Sequence, residues 1–590
     1  MAAEAAQSGR ALRAVSLLSV LVASKATTLV LVREAIPLSP WTPFAYLWQD
    51  ALVVLAFVLA DAMLRWSAVA WALYAAVVVY AAINVPIAAV LSTPLTLTLI
   101  RASGGALADS IAHYVTTPNM IGVCVPLTIA ILAPFLLRRA RFRLRLASIA
   151  ALAVVAAVGP AATARVETRG LHRNAIGALV ASATPRVGAT DDTADWRASP
   201  FESTSSDDLS SLKGSARGRN VVVIVLESTA ARYLRPYGAA EDPMPALTAL
   251  TKEGIVFDRA YAVYPESVKG LFTTICSRYT AFDTAPELYS EAPCTSIAAT
   301  LHASGYRTAL FHSGRFDYLG MRSIIDSRGF DLLEDAGAIG GNVRSSFGVD
   351  EASTVRRLLQ WIDRRDRAAP FFALYMPIAG HHPYPSNVPG TFGDTTDFSR
   401  YLNSIHEADV AIAALIDGLQ ARGIYDETVL FIFGDHGEAF GQHPGNFAHT
   451  LYIYEENVRV PYTIVVPGVI ASAIRPRRVA SLLDTAPTIL DLLGISAVSD
   501  YQGASLLDPR ARMALFYTDY SLGWLGLADG CWKYLYEIDS RRSRLFDVCV
   551  DPDEKVDRSA SLPDRAMTYR DRLQRWAAAQ RGLTISPRKP

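Results

Sequence analysis

The chain has 590 residues, 51% of them apolar, and its 56 basic side chains are matched by 56 acidic ones. That balance removes bulk charge as a reason to bind nucleic acid, and the length allows several domains. Mean hydropathy is positive, and nearly all of the apolar excess falls in the first 165 or so residues.

Five apolar runs there, about 11–32, 42–64, 67–91, 120–137 and 146–164, come near the ~20 residues needed to cross a bilayer core. The stretch 94–115 reads either as an amphipathic loop helix or as a short sixth span. Arg10, Arg13, Arg65 and the run "RRARFRLR" (138–145) alternate with loops whose strong basic residues are Arg33 and Arg101. By the positive-inside rule the N-terminus is cytoplasmic, and an odd number of spans places everything after residue 164 outside. The spans show no clustered charges in their middles, which argues against a channel or transporter.

Residues 166–219 read as a connector. "LHRNAIGALVASATPR" suits a helix lying on the membrane surface, and the Ser/Asp/Gly-rich remainder suits an exposed linker. From residue 220 to about 511, short apolar runs ("VVVIVLE", "TALFH", "FFALYM", "TVLFIFGD", "PYTIVV") alternate with helical patterns. That texture predicts a mostly parallel sheet with helices on both faces. Aromatic strands, a hairpin and a terminal helix over 512–590 suggest a small antiparallel lobe.

In such sheets ligands bind beyond the carboxyl ends of the strands. Glu227 ends the first run and His312 the second, with Arg315 close behind. "FFALYM" leads to His381 and His382, and "TVLFIFGD" ends at Asp435 and His436. Carboxylate and imidazole ligands suit Zn²⁺ or Mn²⁺ ahead of Mg²⁺ or Ca²⁺. Ser267, in "YPESVKGLFTTICS", reads equally as a helix-capping hydroxyl or as a nucleophile at a helix N-terminus. Cys276 and Cys294 are 18 positions apart, as are Cys531 and Cys549. A hairpin centred near Ser540 would bring the second pair together. Disulfides fit an extracytoplasmic domain, and free buried thiols are the alternative.

Taken in order, "NVVVIVLES", "DPMPALTALTKEGIVFDRAYAVYPES", "FGDHGEAFGQH", "YEENVRVPYTIVV" and "CWKYLYEIDSRRSRLFDVC" resemble the segments of the sulfatase/alkaline phosphatase superfamily. With membrane spans in front, the architecture is similar to lipoteichoic-acid synthases and related phosphoglycerol or phosphoethanolamine transferases. The resemblance implies Ser267 as nucleophile, with one metal ion held by Glu227, Ser267, Asp435 and His436. It also implies His381 at the substrate anion or leaving group, and His312, Arg315 and His449 near the substrate. The sulfatase signature for conversion to formylglycine, with Pro and Arg following the nucleophile, is absent after Ser267.

The expectation is therefore a multi-pass protein of a bacterial inner membrane with an extracytoplasmic catalytic domain. It would move a phospholipid head group to an envelope glycan or lipid. Hydrolysis of sulfuric or phosphoric esters is the alternative, and a catalytically silent scaffold the third.

Overall fold

The computed structural model describes residues 2–33, 36–91, 93–97, 100, 114–138, 145–201, 207–345, 347–364, 369–386 and 390–585. They form two compact units, 1–186 with 537–542 and 187–536 with 543–590.

The first unit is helical: α1 (Ala2–Leu31), α2 (Thr42–Met63), α3 (Ser67–Leu91), α4 (Thr117–Leu137), α5 (Leu146–Thr163) and the short α6 (Ala175–Ala181). The first five are long and apolar enough to cross a membrane. Large apolar side chains such as Leu59, Ile131 and Leu136 stay outward-facing, as lipid-facing positions would. Most of 94–115, the possible sixth span, lies outside the described residues. The surface helix expected over 171–186 is reduced to the seven residues of α6, capped by the Asn174 side chain.

The spans are less free of charge than their sequence suggests. Arg13 in α1 pairs with Asp61 in α2 through two contacts, at 2.9 and 3.0 Å. Lys25 in α1 pairs with Asp50 in α2 at 2.8 Å. Each charge meets its partner only when the helices pack side by side.

The second unit starts at Val187, so the connector is not a free linker over its whole length. Trp196 and Arg197 are buried in it. Its sheet comprises β1 (Asn220–Leu226), β2 (Gly254–Val256), β3 (Arg307–His312), β4 (Leu332–Glu334), β5 (Phe371–Met376), β6 (Thr428–Gly434) and β7 (Tyr462–Val465). The strand order is β2-β7-β6-β1-β5-β3-β4. β6, β1, β5, β3 and β4 pair in parallel, and β7 is antiparallel to both its neighbours.

Every residue of β1 is buried, and alternate residues point to opposite faces. Val221, Val223 and Val225 join a core with α7 (Ser267–Cys276) and α10 (Thr485–Leu493). Val222, Ile224 and Leu226 join a second core with α8 (Glu351–Asp363) and α9 (Asp397–Ala421). Helices thus cover both faces, which is why the strands read as continuous apolar runs rather than alternating ones.

A four-stranded sheet follows, β8 (Ala514–Thr518), β9 (Trp524–Asp529), β10 (Trp532–Glu537) and β11 (Arg542–Asp547), in that order. The chain then enters α11 (Pro563–Ile585). Cys276 is bonded to Cys294, and Cys531 to Cys549 across the last hairpin.

Candidate active site

The register of two neighbouring strands builds the site. β1 and β6 run parallel with Leu226 opposite Gly434, so the next residues, Glu227 and Asp435, leave the sheet side by side. Ser228 then turns the chain with φ 52°, a left-handed conformation that costs a serine about 1 kcal/mol or more. Three hydrogen bonds hold it there. Ser228 N donates to Asp435 Oδ1 (2.9 Å), its hydroxyl to Glu227 Oε1 (2.8 Å), and Tyr401 Oη donates to its carbonyl (2.8 Å). Gly380 must be glycine at this rim: its φ is 116°, and a Cβ would lie 2.3 Å from the Glu227 carbonyl oxygen.

Ser267 is the first residue of α7. The cap is the residue before it: Glu266 accepts from the N–H groups of Val268 and Lys269. The Ser267 hydroxyl is therefore spared from capping and turns toward the strand ends. It lies 2.7 Å from Asp435 Oδ2, 3.0 Å from Glu227 Oε2 and 3.4 Å from His436 Nε2.

This donor set fits a divalent cation. His436 Nδ1 faces the Gly437 carbonyl at 3.0 Å, so in a neutral ring Nδ1 keeps the proton and leaves Nε2, 3.5 Å from Asp435 and 3.6 Å from Glu227, able to bind a cation. The Ser267 proton can satisfy only one acceptor at a time. Three buried ligand groups thus offer lone pairs to one point, an arrangement that positive charge reconciles. Burial, reinforced by Glu227, pushes Asp435 up to about 7. Burial opposes charge on His436, but Asp435 and Glu227 outweigh it and raise its pKa.

His381 and His449 lie near enough to Glu227 to act on it electrostatically, after His436. The His381 ring packs 4.4 Å from Phe347, with Nδ1 2.7 Å from the His382 carbonyl. His449 lies 4.2 Å, ring to ring, from His436. Burial, with the charge of His436 next, holds it well below the usual imidazole range. His312 is buried at the end of β3 with Nδ1 3.0 Å from the Met376 carbonyl, and burial lowers its pKa. Arg315 is exposed, with its guanidinium near Gly337.

Residues 219–495 match the family model described as Sulfatase. They form a sulfatase-like domain. A lipoteichoic acid synthase-like protein of Bacillus subtilis is 23% identical over 309 residues, which are 49% of this chain and 49% of that protein. The match therefore spans about half the length of that relative. Arylsulfatase K of Bos taurus is 24% identical over 447 residues, 60% of this chain and 81% of its own. The crystal structure of the lipoteichoic acid synthase LtaP from Listeria monocytogenes superposes with a TM-score of 0.54 at 16% identity. It covers 64% of this chain and 94% of its own, and shares the fold.

The sulfatase-like domain and the lobe after it hold residues that sequence reading passed over. Glu438, fully buried, faces His449 Nδ1 with Oε2 at 2.6 Å and accepts from the Tyr384 hydroxyl with Oε1. It thereby orients the His449 ring. Its signal was present in "GDHGE", two residues beyond His436, but its partners come from residues 384 and 449. Lys269, on the nucleophile helix, is buried and bonds Asp519 at 2.8 Å, tying α7 to the chain after β8. His443 is buried against Glu456 Oε1 at 2.7 Å. In the same network Lys533 lies 3.1 Å from both Glu455 and Glu554 and supplies the cation that those acids need.

Proposed function

We propose that this protein is a membrane-anchored phosphoryl head-group transferase in which Ser267 forms the covalent intermediate. The observation that carries the reading is the Ser267 hydroxyl, at the N-terminus of α7 and in contact with Glu227, Asp435 and His436. A Mn²⁺ or Zn²⁺ ion held by Glu227, Asp435, His436 and the Ser267 oxygen would acidify the hydroxyl and offset charge on the phosphoryl oxygens. Ser267 Oγ attacks phosphorus and the bond to the lipid alkoxide breaks. His381 delivers a proton to the departing oxygen, while His449, kept neutral by its buried site and steadied by Glu438, stands beside the phosphoryl group. The N–H groups and dipole of α7 favour the phosphoryl anion. An acceptor hydroxyl then attacks the phosphoseryl group and Ser267 is released with its proton.

Five apolar helices ahead of the domain suit a lipid donor, a phosphatidylglycerol or phosphatidylethanolamine head group. The name of the Bacillus relative points to an envelope acceptor. In this reading the protein sits in a bacterial inner membrane with its N-terminus cytoplasmic and its catalytic unit outside, made of 220–511 with 512–590 as its terminal subdomain. The match to arylsulfatase K favours a second reading, hydrolysis of a sulfate ester. Ser267-Val268-Lys269-Gly270, without the Pro and Arg of a formylglycine site, speaks against it.

The test is intact mass of the full chain after incubation with Mn²⁺ and phosphatidylglycerol or phosphatidylethanolamine. A phosphorus-bearing adduct lost in Ser267→Ala supports transfer, and its mass names the head group. Turnover of an aryl sulfate alone would replace this reading with the sulfatase one.

A further inference from the structure

An acid in the first turn of a helix ordinarily faces solvent and the helix dipole. Glu351, the first residue of α8, does neither. Asp350 before it is the cap, accepting from the Ser353 N–H at 2.9 Å, and Glu351 turns inward until it is 2% exposed. Its carboxyl meets four donors, none of them charged. Oε1 accepts from the Ser313 hydroxyl (2.8 Å) and from the N–H groups of Ile378 (2.8 Å) and Ala379 (3.0 Å), and Oε2 from the Tyr375 hydroxyl (2.5 Å). A buried carboxyl is costly unless hydrogen-bonded, and these four contacts come from the ends of β3 and β5 and from the turn that leaves β5.

That turn carries His381, and each of its backbone N–H groups has an assigned partner. The first two, of Ile378 and Ala379, go to Glu351. Gly380 N donates to Ser404 Oγ of α9 at 2.8 Å, and His381 N closes the turn on the Ile378 carbonyl at 3.0 Å. Ser404 also donates to the Pro385 carbonyl at 3.3 Å, where the chain returns. Gly380 rests against the Glu227 carbonyl, so a shift of the turn alters the distance between His381 and the metal-ligand rim. The imidazole itself packs on Phe347 at 4.4 Å and edge-on to Tyr318 at 6.0 Å. Its Nδ1 lies 2.7 Å from the His382 carbonyl, which leaves Nε2 as the nitrogen for proton exchange.

We infer that Glu351 is a positioning residue for the transfer: by holding the Ile378 and Ala379 N–H groups it sets His381 Nε2 at the departing oxygen. The role rests on the reading that Ser267 accepts a phosphoryl group. In that step the bond from Ser267 Oγ to phosphorus forms and the bond from phosphorus to the alkoxide breaks. The alkoxide leaves with the proton from His381 Nε2. An alkoxide needs that proton, whereas a nitrophenolate departs as a stable anion without it. Displacing a proton donor by about 1 Å costs roughly 100-fold. Loss of Glu351 should therefore fall on donors with alkyl leaving groups and spare those with aryl ones, a distinction that general loosening of the fold would not make.

The experiment uses the full chain in detergent with Mn²⁺ and follows formation of the Ser267 adduct by time-resolved intact mass. Two donors are compared, the phospholipid that wild type uses and the 4-nitrophenyl ester of the same head-group phosphate. Glu351→Ala should slow the adduct from the lipid by about 100-fold and from the nitrophenyl ester by less than about threefold. Glu351→Gln keeps an oxygen for the two N–H groups and should recover most of the lipid rate. Adding Glu351→Ala to His381→Ala should cost nothing further on the lipid, since both act through one proton donor. Glu351→Asp, which withdraws the carboxyl by one methylene, decides with the same two donors if Glu351→Ala does not fold. Equal slowing on both donors, or a Gln variant as slow as the Ala one, overturns the positioning role while the Ser267 adduct still upholds transfer. No adduct in wild type from either donor removes the transfer reading and this role with it.

Discussion

Arg197 lies in a segment that reads as exposed linker, yet it is 2% exposed. Its Nη2 meets Asp484 Oδ2 at 2.7 Å, Nη1 meets Oδ1, and Nε donates to the Met513 carbonyl at 2.9 Å. Asp484, 1% exposed, otherwise accepts from the N–H groups of Ser481 and Ala504. Replacing Arg197 with Met keeps much of the volume but leaves a carboxylate buried with no counter-charge, a loss of about 3–5 kcal/mol. The unit spans about 400 residues, and at ~2.1 cal/mol/K per residue its unfolding entropy is roughly 0.8 kcal/mol/K, so melting should fall by about 5 °C. Scanning calorimetry of the full chain reads this directly. Arg197→Met with Asp484→Asn should recover roughly half the loss, because the stranded charge is then gone. A single variant that melts within about 1 °C of wild type, or a double variant no better than the single, would refute the reasoning. A soluble fragment should then begin at Val187, and one begun at Gly218 should behave like Arg197→Met.

Chelation should abolish turnover, and Mn²⁺ or Zn²⁺ should restore it in wild type but not in Asp435→Asn, with bound metal counted by mass spectrometry. Glu438→Gln should lower kcat about 10- to 100-fold while leaving metal content unchanged, since it disturbs only the hold on His449; loss of metal in that variant would contradict its assignment as an orienting group. Glu351, buried between the Tyr375 and Ser313 hydroxyls, is pushed by burial up to about 7 from a usual value near 4.5. The native state therefore keeps a proton that the unfolded chain releases. Its stabilisation is complete below about pH 4.5 and lost as pH rises through 7, a change on the order of 3 kcal/mol. Glu351→Gln should remove that slope in denaturant midpoints taken at pH 5 and 7.5, and an unaltered slope would place it elsewhere. Replacing Cys531 and Cys549 with Ser frees an 18-residue loop and should cost about 3 kcal/mol, visible as a lower melting temperature than wild type under non-reducing conditions.

Much of this protein is local enough to be written in one dimension. A membrane span is a length and a hydropathy, and a strand buried on both faces is a short apolar run. The residue that leaves such a strand at its carboxyl end is known once the run is known. Glu227, Asp435 and His436 follow from that rule, and Ser267 follows once its neighbours are identified. Pairing across space is different, because it depends on register and helix packing that no window of residues contains. Leu226 opposite Gly434 decides that Glu227 and Asp435 share one point. The fold of the 384, 438 and 449 segments decides that Glu438 governs His449. Lys25 and Asp50, charges in two apolar helices, become a pair only in the bundle, and Arg197 becomes a core residue only when Asp484 is brought to it. The chain's chemistry was legible wherever one strand or helix carries it; tertiary structure alone decided which charges are partners, since a buried charge is tolerated only where another element supplies its opposite.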